Sequence, residues 1–153
     1  MSAGENRQGI LPPTWFFVYI LIIAVVHFTY PVIHLGDWPI RLIGIPLLIV
    51  GLWLNLWADG LFKRCRTTVK PYEISTALIT DGPFKFTRNP MYLGMAAALL
   101  GEAFLLGSLA GFIPVAIYPV HMYLTYIAVE ERALTAAFGD EFISYKSRVR
   151  RWL

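Results

Sequence analysis

The sequence predicts an all-α integral membrane protein with four transmembrane helices, the last two a helical hairpin, plus a cytoplasmic loop and an amphipathic carboxy-terminal helix. Three observations predict it. Hydrophobic residues make up 57% of the 153 residues and charged residues only 15%, against about 25% charged in soluble domains. Apolar runs of spanning length recur, and about 20 residues rising 1.5 Å each are needed to cross roughly 30 Å of hydrocarbon. Twelve of the 13 Lys and Arg fall in segments that four crossings place on one side. The same composition argues against a water-soluble globule and against disorder, which needs low hydrophobicity and high charge.

The first span is expected over about 15–34, because Trp15 to Tyr30 carries no charge and Pro31, Gly36 and Pro39 end it. A cleaved signal peptide is not expected, since no basic segment precedes the apolar run and Pro12-Pro13 delay it. The second span covers about 40–61, bounded by Arg41 and Asp59. The stretch from Met91 to Val129 has Glu102 as its only charge and is far too long for one crossing. Gly107-Ser108, Gly111 and Pro114 divide it into spans at about 91–106 and 109–129, joined by a tight turn. The amino terminus, the 62–90 loop and the tail hold every basic residue except Arg41, so the positive-inside rule puts both termini and that loop in the cytoplasm. From Glu130 onward, Leu134, Ala137, Phe138, Phe142, Tyr145 and Val149 recur three and four apart, which predicts an amphipathic helix interrupted near Gly139. The whole chain, 1–153, reads as one membrane-embedded domain.

Few residues offer chemistry. His27, His34 and His121 lie far apart and Cys65 is the single cysteine, so neither a metal site nor an internal disulfide is expected. The basic cluster of Lys63, Arg64 and Arg66 fits anionic lipid head groups rather than nucleic acid. Glu102 lies eleven residues beyond Met91, about 16 Å along the third helix. An ionisable group at that depth is either functional or a protonated acid bonded to a neighbour. The most specific run is Gly82-Pro83-Phe84-Lys85-Phe86-Thr87-Arg88-Asn89-Pro90-Met91-Tyr92-Leu93-Gly94. Its prolines restrict the backbone before them, giving a rigid start to the third helix. Glu130-Glu131 ends the fourth helix at the same membrane face, so Arg88, Asn89, Tyr92 and Glu130 can share one pocket. On spacing alone they also read as a snorkelling arginine and a solvated acid pair.

At these residues the chain resembles the isoprenylcysteine carboxyl methyltransferase family and the related phospholipid methyltransferases. The 82–94 run is similar to the family's Gly-Pro-Tyr/Phe-Arg-x-x-Arg-His/Asn-Pro-x-Tyr-x-Gly. Arg66 to Pro71 resembles the segment before it, and Glu130 to Leu134 with Phe138 to Phe142 and Tyr145 resembles its closing signature. The motifs occupy 66–94 and 126–145. The resemblance implies an S-adenosyl-L-methionine pocket with contacts at Val69, Thr76, Ala77, Leu78, Ile79, Phe84, Asn89, Pro90, Met91, Tyr92 and Glu130. Arg88 and Glu130 are the implied reactive-end residues, Arg88 orienting a carboxylate. Tyr126 joins them because it stands where prenylcysteine-methylating members carry an arginine suited to the substrate carboxylate.

The function implied is methyl transfer from S-adenosyl-L-methionine to a lipophilic small-molecule or prenylated acceptor reached from the bilayer. Displacement at a sulfonium needs alignment and water exclusion more than acid–base machinery. A carboxylate or thiolate nucleophile arrives ready, whereas a protonated amine needs a base, and no base is evident from the residue pattern. O- or S-methylation is therefore favoured. The alternatives are phospholipid N-methylation, an NADPH-dependent membrane reductase of related fold, and a non-catalytic four-helix membrane protein.

Overall fold

The computed structural model describes residues 10–30, 36, 38–68 and 75–153. All its regular structure is helical, with no strand among the described residues. The elements are α1 (Pro12–Thr29), a short α2 (Trp38–Arg41), α3 (Gly44–Arg64), α4 (Pro90–Leu106), α5 (Phe112–Met122), α6 (Ala128–Phe138) and α7 (Asp140–Arg148). Short 3₁₀ turns at Gly82–Lys85 and Leu109–Gly111 precede α4 and α5. A five-residue π-helical segment, Tyr123–Ile127, joins α5 to α6.

Three helical stretches are long and apolar enough to cross a membrane: Pro12–Thr29, Trp38–Arg64 and Leu109–Phe138. The fourth expected span is α4, apolar but only 17 residues long. Their outer faces carry large exposed side chains such as Phe17, Leu21, Phe28, Leu56, Ile117 and Leu124. In water such a surface would drive association, whereas hydrocarbon solvates it.

α4 is the helix the others pack on. Tyr92, Met95, Leu99 and Ala103 on α4 form the main core with Tyr19 and Ile23 of α1 and with Tyr118, Met122, Tyr126 and Ile127 of the last helix. The α3 side of α4 is different, because there the two backbones touch. A β-carbon on Gly51 would stand 2.5 Å from the Gly94 carbonyl oxygen and 2.8 Å from the Ala98 nitrogen. One on Gly101 would stand 2.7 Å from the Gly44 carbonyl oxygen. Gly44 and Gly51 on α3 face Gly101 and Gly94 on α4, seven residues apart on each helix. Small residues at that spacing let helices approach without a hydrophobic drive between them.

Gly107 ends α4 in the left-handed region at φ 70°, and the Arg41 side chain fills the space its side chain would need. The chain then turns through Ser108 into the 3₁₀ turn and α5, where Phe112 meets Phe104 edge to face at 5.0 Å. The division of the long apolar stretch thus falls where the sequence places it.

The tail departs from expectation. No new helix starts at Glu130; the helix continues from Leu109 to Phe138, breaks at Gly139, with φ 51°, where the interruption is expected, and resumes as α7. Apolar periodicity continues through Glu130, so hydropathy falls while the helix does not stop. The π segment begins four residues after Pro119, the proline inside α5. Its wider turn adds a residue to the repeat and rotates everything beyond by about 100°. The first span also runs earlier than 15–34, starting at Pro12, where proline fits the first turn, and ending at Thr29. Residues 31–35, including His34, lie outside the described residues.

Candidate functional site

The site forms where the loop meets the start of α4. Gly82, at φ 59°, lets the chain pass within contact of Leu61 and Trp57 on α3. The 3₁₀ turn that follows buries Phe84 edge to face against Phe62, ring centroids 5.7 Å apart. Ile79 and Ala58 complete this small apolar cluster, with Met91 packed against it. Thr76 is held beside it through its amide, which donates to Thr67 Oγ1 at 3.0 Å. Ala77 and Leu78 are half-buried in the connecting segment. Val69 lies outside the described residues.

The carboxy-terminal segment closes over this loop. Tyr145 of α7 donates its hydroxyl to the Phe84 carbonyl at 2.7 Å. The Arg88 amide donates to the Arg150 carbonyl at 2.9 Å. Thr87 Oγ1 and Asn89 Nδ2 both donate to the Arg151 carbonyl at 3.0 Å. Asn89 is buried, and Pro90 behind it occupies the first turn of α4.

The two acids at 130 and 131 are adjacent on a helix, so they point about 100° apart and serve different partners. Glu130 accepts a hydrogen bond from the Tyr92 hydroxyl at 2.7 Å. Its other oxygen has no partner among the described residues. Tyr92 stacks on Tyr126 at 6.4 Å, and Tyr126 in turn donates to the Ile10 carbonyl. Glu131 takes the cations. Arg88 Nη2 reaches it at 2.9 Å, Arg151 binds through Nε and Nη2 at 3.0 Å each, and Lys146 lies at 3.5 Å. Arg88 spends Nη1 on the carbonyls of Lys146 and Val149 at 2.9 and 2.8 Å.

The structure therefore brings Arg88, Asn89, Tyr92, Tyr126 and Glu130 to one end of α4, with Phe84, Met91 and Ile79 alongside. Arg88 faces Glu131 and the tail carbonyls, while Glu130 faces Tyr92. Residue spacing did not place Thr87, Glu131, Tyr145 or Arg151 in the shared pocket. The one available signal was the 100° separation of Glu130 and Glu131, which calls for two sets of partners. Glu102 is half-buried at the far end of α4, and its Oε2 has no partner among the described residues.

A helical membrane protein with a polar site at the end of a short, buried helix is the class this arrangement defines. The phospholipid methyltransferase family pattern matches residues 40–141, and the chain belongs to that family. It is 31% identical over 72 residues to the protein-S-isoprenylcysteine O-methyltransferase of Schizosaccharomyces pombe, covering 47% of this chain and 30% of that protein. It is likewise 31% identical over 108 residues to the cobalt-zinc-cadmium resistance protein CzcN of Cupriavidus metallidurans, covering 70% of this chain and 44% of that protein. An uncharacterised protein of Haemophilus influenzae is 40% identical over 63 residues, which is 41% of this chain and all of that one. The chain matches less than half the length of the first two.

Proposed function

We propose that the protein transfers a methyl group from S-adenosyl-L-methionine to a lipophilic acceptor bearing a carboxylate or a thiol. One observation carries the reading: in a chain of this family, the 82–94 run, Glu130 and the tail converge on one polar site beside an apolar cluster. The residues fit the cofactor. Glu130 keeps one oxygen for an ammonium or ribose hydroxyl, Asn89 keeps its side-chain carbonyl as an acceptor, and the Ile79–Phe84–Met91 surface suits the adenine. When bound, the cofactor supplies a methyl group already activated on a sulfonium.

The chain's own residues align and enclose. The Tyr92 hydrogen bond fixes the Glu130 carboxylate, and Tyr126 stacked behind Tyr92 fixes the ring. The tail, bonded across Thr87, Arg88 and Asn89, excludes water from one side. The membrane arrangement in this reading has four crossings, α4 and α5 forming the hairpin, with both termini and the 62–90 loop on the cytoplasmic side where a soluble cofactor enters. The acceptor arrives from the bilayer.

A second reading, N-methylation of a phospholipid amine, draws on the free oxygen of Glu130, a proton acceptor inside the site. The test is calorimetry with S-adenosylhomocysteine on protein in nanodiscs. Micromolar-scale binding is expected, weakened about tenfold or more by Asn89→Ala or Glu130→Ala. Absence of binding would overturn both readings.

A further inference from the structure

We propose that Arg151 is the carboxylate-reading residue of this site, and that Arg88 is a structural cation. The two arginines share Glu131 and differ in what they have left. Arg88 has a side chain only 9% exposed, with both terminal nitrogens committed to Glu131 and two tail carbonyls. Arg151 is 33% exposed, and its Nη1 has no partner among the described residues.

Arg151 is also held in place from both ends. Its carbonyl accepts from Thr87 and Asn89, and its guanidinium carbon stands over the Tyr123 ring, 4.6 Å from the centroid, while two of its nitrogens donate to Glu131. Trp152 beside it packs against the core. A guanidinium fixed on an anion and on an aromatic face presents its remaining edge in one orientation, which is what recognition of a planar anion requires. The charge points the same way. Arg88, Lys146 and Arg151 surround the one carboxylate of Glu131, leaving the cluster at +2. An incoming carboxylate reduces that excess.

The carboxylate has two sources in the methyl-transfer reading, on which the inference rests for the ligand's identity. It is either the amino-acid end of the cofactor or the head of the acceptor. Two ligand pairs, each differing by a carboxylate, separate them: S-adenosylhomocysteine against 5′-methylthioadenosine, and N-acetyl-S-farnesylcysteine against its carboxamide. Binding is measured in phosphatidylcholine nanodiscs to the wild type, Arg151→Met and Arg151→Lys.

In the wild type the charged member of at least one pair should bind about ten- to a hundred-fold tighter. Arg151→Met should abolish that preference while sparing the neutral member, and Arg151→Lys should restore part of it. Collapse in the adenosine pair assigns the cofactor's carboxylate; collapse in the farnesyl pair assigns the acceptor's. Glu131 keeps Arg88 and Lys146 in either variant, and retained binding of the neutral ligand certifies the fold. An unchanged preference in Arg151→Met overturns the proposal, as does equal loss of charged and neutral ligands in both variants. A wild type that binds neither adenosine compound but keeps an Arg151-dependent farnesyl preference overturns methyl transfer and leaves Arg151 standing.

Discussion

Replacing Glu131 by Gln should release the carboxy-terminal segment from the site. Among the described residues Glu131 is the only acid touching Arg88, Lys146 and Arg151, at 2.9, 3.5 and 3.0 Å. The Arg88 pair counts most, with side-chain exposures of 9% and 11%; Lys146 at 45% is screened and adds little. Breaking a buried pair while leaving one partner costs about 3–5 kcal/mol, and the one-third exposure of Arg151 argues for the lower end. About 3 kcal/mol shifts the docked-to-released equilibrium by roughly a hundred-fold. Arg148, Arg150 and Arg151 make that equilibrium readable by trypsin, whose cutting follows the released population when docking is fast. Cleavage after these residues, followed by mass spectrometry under native conditions, should accelerate by that factor in Glu131→Gln. An acceleration below about fivefold would mean that the backbone bonds from Thr87, Arg88 and Asn89 hold the tail without the charges.

Two further outcomes are expected. Gly51→Val should lower the yield of monodisperse protein and cost upwards of 1–3 kcal/mol, because its β-carbon meets backbone of Gly94 and Ala98 that cannot yield. Gly60→Ala, with nothing within 4 Å of the added carbon, should be neutral or stabilising in a denaturant titration.

The apolar runs and their breakers made most of the helices legible. Pro90 at the start of α4 and Gly107 at its end fall where the sequence puts them, since backbone restriction is a local property. The 82–94 run drew attention to Arg88, Asn89 and Tyr92 for the same reason. Partners were less legible. Arg88 and Arg150 are 62 residues apart, and a carbonyl acceptor has no signature in residue type, so the tail's return to the loop was invisible. The π segment was invisible too: one extra residue in a turn leaves hydropathy unchanged, yet it sets where Tyr126, Glu130 and Glu131 point.

The unequal lengths of α4 and the last helix have a consequence for depth. α4 is about 26 Å long, and the stretch from Leu109 to Phe138 about 45 Å. From Glu130 the long helix carries on for eight more residues, about 12 Å, before Gly139. Beyond the level where Glu130 meets Tyr92 on the first turn of α4, the longer helix therefore runs on along one side of the site. In the proposed methyl transfer, an acceptor with a long tail and a small head would reach the start of α4 while its tail stays among lipid chains, whereas a bulky head would first have to clear the longer helix.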